Sequence, residues 1–314
     1  MSTRALRLGT RKSPMAMAQS GRVASLVTEL TGASVELVGL TTFGDVTRAE
    51  LVQVGGTGVF VSALRESLLA GEVDFAVHSL KDLPVGPAPG IVLAAVPPRE
   101  DPRDSLVARD GAKLADLSPG ARIGTGSPRR AAQLLLLRPD VRPVPVRGNA
   151  GTRLGKVESG ELDAVLLAYA GLARIGRLDA ITQVFEPDEM VPAPGQGALA
   201  VECLDRDPGL ADLLACVDNP VSRAAVTAER SVLAALQAGC SAPVGAYAAG
   251  TEMLQLRAVV AGADGGAAVR ASAEAPADEA GRLGREVAVE LLRRGAGRYM
   301  AMSSDDMSSG DDTQ

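Results

Sequence analysis

Six arginines stand where ligand chemistry is expected. Arg11, Arg129, Arg130, Arg147, Arg153 and Arg174 each sit at a turn or helix start that follows a candidate strand. In open α/β sheets, ligands bind beyond the carboxyl ends of strands. A guanidinium grips a carboxylate or phosphate through two parallel hydrogen bonds, each worth about 1.5–3 kcal/mol when charge-assisted. The set predicts a ligand carrying several carboxylates; the bland alternative is six solvated surface arginines. All but four of the 32 basic residues are Arg, the exceptions being Lys12, Lys81, Lys113 and Lys156, so position decides more than number.

Two further groups could do chemistry. Lys81-Asp82 follows a buried-strand pattern and precedes Leu83-Pro84. A carboxylate at such a strand end can offset a developing cation or move a proton. The bland alternative is a surface ion pair of little energy. Cys240 lies in Ala238-Gly239-Cys240-Ser241-Ala242-Pro243, on a turn after a long helix. On the residues alone it reads as structural rather than reactive. Cys203 and Cys216 sit in apolar segments and read as small core residues.

The elements that must position these groups come in two copies. A strand runs into Gly-Thr, then Ser-Pro, then a helix at Leu6–Pro14 and again at Ala121–Pro128. Each copy puts hydroxyls and a first-turn Pro where a helix begins, and helix starts attract anions. Gly71-Glu72-Val73-Asp74 and Gly160-Glu161-Leu162-Asp163 repeat in the same order, each as a helix end, a turn and a strand. Duplicated alternation of strand and helix predicts two α/β lobes with mostly parallel sheets.

Along the chain, strands are expected at Ala5–Leu8, Val35–Thr41, Asp74–Val77 and Ile91–Val96, with a helix from Pro14 and a Gly-rich mobile loop at Gly44–Gly58. Pro97–Asp104 is a first crossing to a second lobe, and Val191–Gly197 a return crossing. Ala198–Cys203 is then a strand back in the first lobe. Two crossings make a hinge. A third unit opens at Asn219-Pro220, with Gly239 as the helix stop and an antiparallel meander over 244–273. Its last helix spans about Asp278–Arg294. The boundaries read as 1–97 plus 198–217, 98–197 and 218–302, with a disordered acidic tail at 303–314.

Composition excludes several classes. Net charge is −6 and pI about 5.1, so nothing draws the chain to nucleic acid or a membrane surface. Aromatics are 2% and Trp is absent, which argues against base stacking. No apolar run is long enough to span a membrane, no signal peptide is legible, and no CxxC pair occurs. A reducing cytoplasmic location is expected. A single His argues against a His-based metal site, and no metal is expected. Gly124-Thr125-Gly126 is half a dinucleotide fingerprint, with Arg129 where the third Gly belongs.

In combination the motifs become recognisable. Gly9-Thr10-Arg11-x-Ser13-Pro14, Val77-His78-Ser79-Leu80-Lys81-Asp82-Leu83-Pro84, Arg99-Glu100-Asp101-Pro102-Arg103-Asp104 and Gly124-Thr125-x-Ser127-x-Arg129-Arg130 occur in order. Arg147-Gly148-Asn149-x-Gly151-Thr152-Arg153-Leu154, Leu167-Ala168-x-Ala170-Gly171-Leu172, Pro194-Gly195-Gln196-Gly197-Ala198 and Gly239-Cys240-x-x-Pro243-Val244-Gly245 follow. Over nearly its whole length the chain resembles the porphobilinogen deaminase family, the hydroxymethylbilane synthases.

The resemblance implies an α/β fold of two periplasmic-binding-protein-like lobes joined by a two-crossing hinge, plus a small C-terminal α+β domain with a three-stranded antiparallel sheet. It implies a monomeric transferase of haem and porphyrin biosynthesis, with porphobilinogen as substrate and no nucleic-acid or membrane partner. Cys240 would carry a dipyrromethane cofactor through a thioether, which reverses the structural reading of that residue. Asp82 would be the catalytic carboxylate. Lys81, Asp82, Thr125, Ser127, Arg129 and Arg130 would bind the cofactor. Arg11, Ser13, Gln19, Arg147, Arg153, Arg174 and Gln196 would bind substrate or the growing chain. Loss of ammonia from porphobilinogen leaves an azafulvene cation, which the free α-carbon of the bound chain attacks. Four such rounds precede release by water.

The chain departs from the family pattern at Gly55-Gly56-Thr57-Gly58 and at Gln53, where Lys is common. The loop then offers less positive charge. The competing reading is a bilobal organic-anion-binding protein without catalysis. It explains the arginines and the hinge but not the grouping of Asp82 with Cys240. A regulator's effector lobes would need a DNA-reading helix, and none is legible.

Overall fold

The computed structural model describes residues 4–40, 58–239 and 242–300, and the side chains of 58–60 are not among those described. Gln53, Thr57, Cys240 and the expected tail at 303–314 therefore lie outside the described residues. The chain divides into two compact units, Met1–Asp101 with Gly195–Ala224, and Pro102–Pro194 with Ala225–Gln314.

In the first unit, β1 (Leu6–Arg11), α1 (Pro14–Thr31), β2 (Val35–Leu40), α2 (Gly58–Leu69), β3 (Phe75–Ser79) and β4 (Ile91–Ala95) follow in order. In the second, β5 (Asp104–Ala108), β6 (Arg122–Gly124), α3 (Pro128–Leu137), β7 (Arg142–Val144), α4 (Ala150–Glu158), β8 (Ala164–Ala168), α5 (Tyr169–Arg174) and β9 (Gln183–Phe185) follow. β10 (Leu199–Leu204) and α6 (Pro208–Leu214) belong to the first unit again, and α7 (Pro220–Ala235) comes next. β11 (Val244–Ala249), β12 (Met253–Ala261), β13 (Ala268–Pro276), α8 (Ala280–Arg293) and α9 (Gly297–Met300) complete the chain.

The two large sheets share one plan. Their orders are β2-β1-β3-β10-β4 and β7-β6-β8-β5-β9. In each, the first three strands are parallel and the fourth runs antiparallel to both its neighbours. Four of the five strands in each sheet thus share one direction, as expected of mostly parallel sheets, and one strand in each is reversed. β5 and β10 are the strands on which the chain enters a unit from the other one. No crossover helix sets their direction, so the right-handed parallel rule does not bind them.

The duplication reaches single side chains. Asp74 accepts from the backbone N–H of Arg7 at 2.7 Å, and Asp163 accepts from that of Arg122 at 2.7 Å. Arg7 Nη2 donates to the Gly71 carbonyl at 2.7 Å, and Arg122 Nη2 to the Gly160 carbonyl at 2.9 Å. Each repeat thus uses an aspartate to tie the turn before β3 or β8 to the start of β1 or β6.

Capping explains where the helices begin. Ser13 accepts from Ala16 N–H at 3.3 Å with Pro14 in the first turn, and Gly32 ends α1 at φ 71°. Ser127 caps α3 through Arg130 N–H at 3.4 Å, again with Pro in the first turn. Asn149 caps α4 through Thr152 N–H at 2.9 Å. These hydroxyl and amide caps satisfy donors that the helix itself leaves open.

The first core packs Leu8, Phe75, Val77 and Val201 against Val23 and Val27 of α1. On the other face, Leu64 and Leu68 of α2 pack with Val73 and Ala76. The second unit buries Leu106, Ile123, Leu134, Leu166 and Phe185 together. The C-terminal sheet is antiparallel, β11-β12-β13, and α8 packs on it through buried Leu283, Val287 and Leu291. No helix among the described residues is long and apolar enough to cross a membrane.

One expected stop moves. α7 ends at Ala235, and Gln237, not Gly239, takes the left-handed conformation at φ 53°. Gln237 N–H bonds to Ala234 O at 3.1 Å and Ala238 N–H to Leu233 O at 3.0 Å. That is the paired closure in which glycine is the common residue; here glutamine bears the strain. β9 and α6 were also not legible, being three and seven residues long.

Candidate functional site

The expected site residues of the first unit gather at the carboxyl ends of β1 and β3. Arg11 is the last residue of β1, inside the strand rather than at a turn, and Ser13 caps α1. Gln19, 5% exposed, donates from Nε2 to Ser79 Oγ at 2.9 Å, so α1 is stitched to the end of β3. Leu80–Asp82 then forms a single 3₁₀ turn. The Lys81 Nζ lies 3.5 Å from Gln196 Oε1. Gln196 is 1% exposed between Gly195 at φ 75° and Gly197 at φ 87°. Its carbonyl accepts from Arg99 Nε at 2.8 Å.

Asp82 is half-buried, and among the described residues no group is bonded to its carboxylate. A partly desolvated carboxylate of this kind is poised to meet charge on a ligand.

Behind this turn lies a charged cluster that the sequence reading missed. Glu202 of β10, 3% exposed, takes a bidentate grip from Arg65 of α2, with Nε–Oε2 3.0 Å and Nη2–Oε1 2.7 Å. His78 Nε2 stands 3.3 Å from Glu202 Oε2. Burial works to raise the Glu202 pKa, but contacts with His78 and Arg65 outweigh it and hold the carboxyl at about 2. An isolated Glu in an otherwise apolar strand, Leu199–Leu204, was the available signal.

In the second unit the carboxyl ends of β6 and β7 supply the rest. Thr125, 4% exposed, accepts from Ser127 N–H at 3.2 Å and shapes the turn into α3. Arg129 and Arg130 are 3% and 5% exposed, far from solvated. Both converge on Asp104 of β5, itself fully buried: Arg129 Nη1–Oδ2 is 2.7 Å and Arg130 Nε–Oδ1 2.8 Å. Burial lowers the Arg129 pKa most; Asp104 pulls it back and the charge of Arg130 pushes it down. Arg153 is lowered by burial first and by Arg130 second, which brings a third guanidinium into the same field. Its Nε donates to Gly148 O at 2.9 Å.

Three guanidiniums therefore face one carboxylate among these groups. Arg129 Nε is buried with no acceptor among the described residues. A buried donor left open costs about 1–3 kcal/mol, and an anionic ligand would remove that cost. The donor set fits a group bearing carboxylates. Asp104 was visible in the sequence as part of a motif but had no assigned role.

Two further expected residues lie on neighbouring segments of the same unit. Arg147 is exposed between β7 and α4. Arg174 is the last residue of α5 rather than a helix start. A groove of about 690 Å³ on the C-terminal sheet, lined among others by Arg257, Arg270 and Arg294, contains none of the expected site residues. Asp188 and Glu274 in its wall oppose that charge.

Comparison with known proteins decides the family. A family model described as porphobilinogen deaminase, dipyromethane cofactor binding domain, matches residues 6–212, and one described as porphobilinogen deaminase, C-terminal domain, matches residues 223–293. The chain belongs to the porphobilinogen deaminase family. It is 61% identical over 311 residues to the porphobilinogen deaminase of Thermobifida fusca, covering 96% of this chain and 97% of that one. It is 56% identical over 314 residues to porphobilinogen deaminase 1 of Streptomyces coelicolor, covering 96% and 98%. A periplasmic substrate-binding protein from Coxiella burnetii aligns with 16% identity and a TM-score of 0.42 over 69% of this chain and 94% of that one. The family's cofactor-binding domain thus covers Asp82, the Arg129–Arg130–Asp104 cluster and Arg153 alike.

Proposed function

We propose that this chain is a cytoplasmic, monomeric porphobilinogen deaminase, a transferase that condenses four porphobilinogen molecules head to tail. The reaction runs on a dipyrromethane primer joined to Cys240 by a thioether, expels one ammonia per condensation, and ends when water releases hydroxymethylbilane. The division into 1–97 plus 198–217, 98–197 and 218–302 belongs to the same reading.

One observation carries it: Arg129 keeps a buried Nε without an acceptor among the described residues, inside a cluster of three guanidiniums and one carboxylate. A ligand with acetate and propionate arms answers that deficit. When bound, the primer supplies an electron-rich pyrrole carbon that can attack an aminomethyl carbon. Arg129, Arg130, Ser127, Thr125 and Lys81 hold its carboxylates. Arg11, Arg147, Arg153 and Arg174, with Ser13, Gln19 and Gln196, orient porphobilinogen and the growing chain, which converts a bimolecular encounter into a positioned one. Asp82 offsets the positive charge that develops on the substrate as ammonia leaves. It then accepts the proton that the new carbon–carbon bond displaces from the ring.

Intact mass of the purified protein tests the reading. A dipyrromethane-sized excess over the sequence mass, lost in Cys240→Ser, is expected, together with pyrrole colour in Ehrlich's reagent. A bare chain without pyrrole colour would instead favour an organic-anion binder.

A further inference from the structure

Gln133 lies on α3 one turn beyond Arg129 and is 1% exposed. Its amide closes on a single backbone residue from both sides. Val191 N–H donates to Gln133 Oε1 at 2.8 Å, and Gln133 Nε2 donates to the Val191 carbonyl at 3.0 Å. Val191 lies outside any strand and precedes Pro192, and a side-chain amide meets both its N–H and its carbonyl.

The same carbonyl accepts from Arg129 Nη1 at 2.7 Å, and that nitrogen also donates to Asp104 at 2.7 Å. Nη1 is thus held from two directions. Nε, on the edge with which a guanidinium grips carboxylates, stays without a described acceptor. The Val191 peptide has a second neighbour. A Cβ on Gly245 would come within 2.7 Å of its carbonyl oxygen, and Ala246 N–H donates to Pro192 O at 3.0 Å. The strand that begins four residues after Cys240 therefore docks on the peptide that anchors Arg129.

We propose that Gln133 is a positioning residue: by clasping the Val191 peptide it aims Arg129 at a cofactor carboxylate and seats the strand that follows Cys240. This rests on the reading of Arg129 as a cofactor anchor. Gln133 itself touches neither substrate nor cofactor.

The test compares the wild-type chain with Gln133→Met, which keeps the volume and loses both hydrogen bonds, and Gln133→Glu, which keeps the acceptor and loses the donor. The folded, monodisperse fraction of each is isolated, and the share of molecules carrying the pyrrole mass is read by intact mass. Loading is expected to fall about fivefold in Gln133→Met, the factor corresponding to roughly one hydrogen bond. Gln133→Glu is expected to fall between Gln133→Met and wild type. A merely structural glutamine would lower yield and melting temperature but leave the folded molecules fully loaded. Wild-type loading in either folded variant overturns the proposal, and Gln133→Glu decides if Gln133→Met does not fold. A wild-type chain without the mass excess would sink the deaminase reading instead.

Discussion

Arg129 and Asp104 meet at 2.7 Å with side chains 3% and 0% exposed, and Arg130 reaches the other oxygen of the same carboxylate. One buried carboxylate thus serves two buried guanidiniums. This concentration of guanidiniums is a property of the fold before any ligand arrives. It is tolerable because each guanidinium also finds a backbone carbonyl, Val191 for Arg129 and Leu166 for Arg130.

Removing that acid should be expensive. Asp104→Asn removes the carboxylate that two buried guanidiniums share and is expected to cost about 3–5 kcal/mol, read by urea denaturation. Glu158→Gln, which breaks an exposed pair with Arg177 at 3.4 Å, should cost under about 1 kcal/mol. Equal costs would show that Asp104 does not compensate the arginines.

Asp82 should separate chemistry from folding. Its carboxylate has no bonded partner among the described residues, so Asp82→Ala should keep the wild-type melting temperature. Turnover, followed as ammonia release, is expected to fall about 10²–10⁴-fold, the range of a lost acid–base group. Near-normal turnover would contradict the catalytic role.

Glu202 should shape the acid limb of stability. Its folded pKa, about 2, lies below the ordinary 4.5, so its contribution is complete above about pH 4.5 and drains away as pH falls toward 2. Glu202→Gln should lower stability at neutral pH and flatten the slope between pH 4.5 and 3. Unfolding free energies at stepped pH give both quantities, and an unchanged slope would refute the assignment.

Two glycines should respond differently to a methyl group. At Gly197, φ is 87° and a Cβ would meet the Glu100 carbonyl oxygen at 2.3 Å. At Gly124 the obstacle is a Leu162 methyl at 2.5 Å, which a rotamer change can move. Gly197→Ala is expected to cost roughly 1–3 kcal/mol and Gly124→Ala less. Thermal melts that rank them the other way would show the Gln196 turn to be pliable.

Much of this was legible because it is local. Ser13-Pro14 and Ser127-Pro128 announce helix starts wherever they occur, and both cap helices here. The Gly-Glu-Val-Asp and Gly-Glu-Leu-Asp repeats marked equivalent places, and Asp74 and Asp163 do the same work at both. The antiparallel β5 and β10 were not legible, because strand direction depends on a partner far along the chain. Gln237 escaped because a left-handed glutamine has no local signature, whereas Gly239 invited the assignment. The arginines were found, but Arg129 and Arg130 were expected to await ligand alone and instead share Asp104.

The order of residues alone determined the duplicated lobes, the meander that follows and the chemical types at the strand ends, since periodicity, caps and turn residues act over a few positions. Tertiary structure decided which groups meet: the Glu202 cluster, the Arg129–Asp104 pair and the Gln133 clasp on Val191 each join residues tens of positions apart or more. Such pairings depend on how sheets stack and what they exclude from water, and burial sets the cost of a charge only once the chain has closed around it.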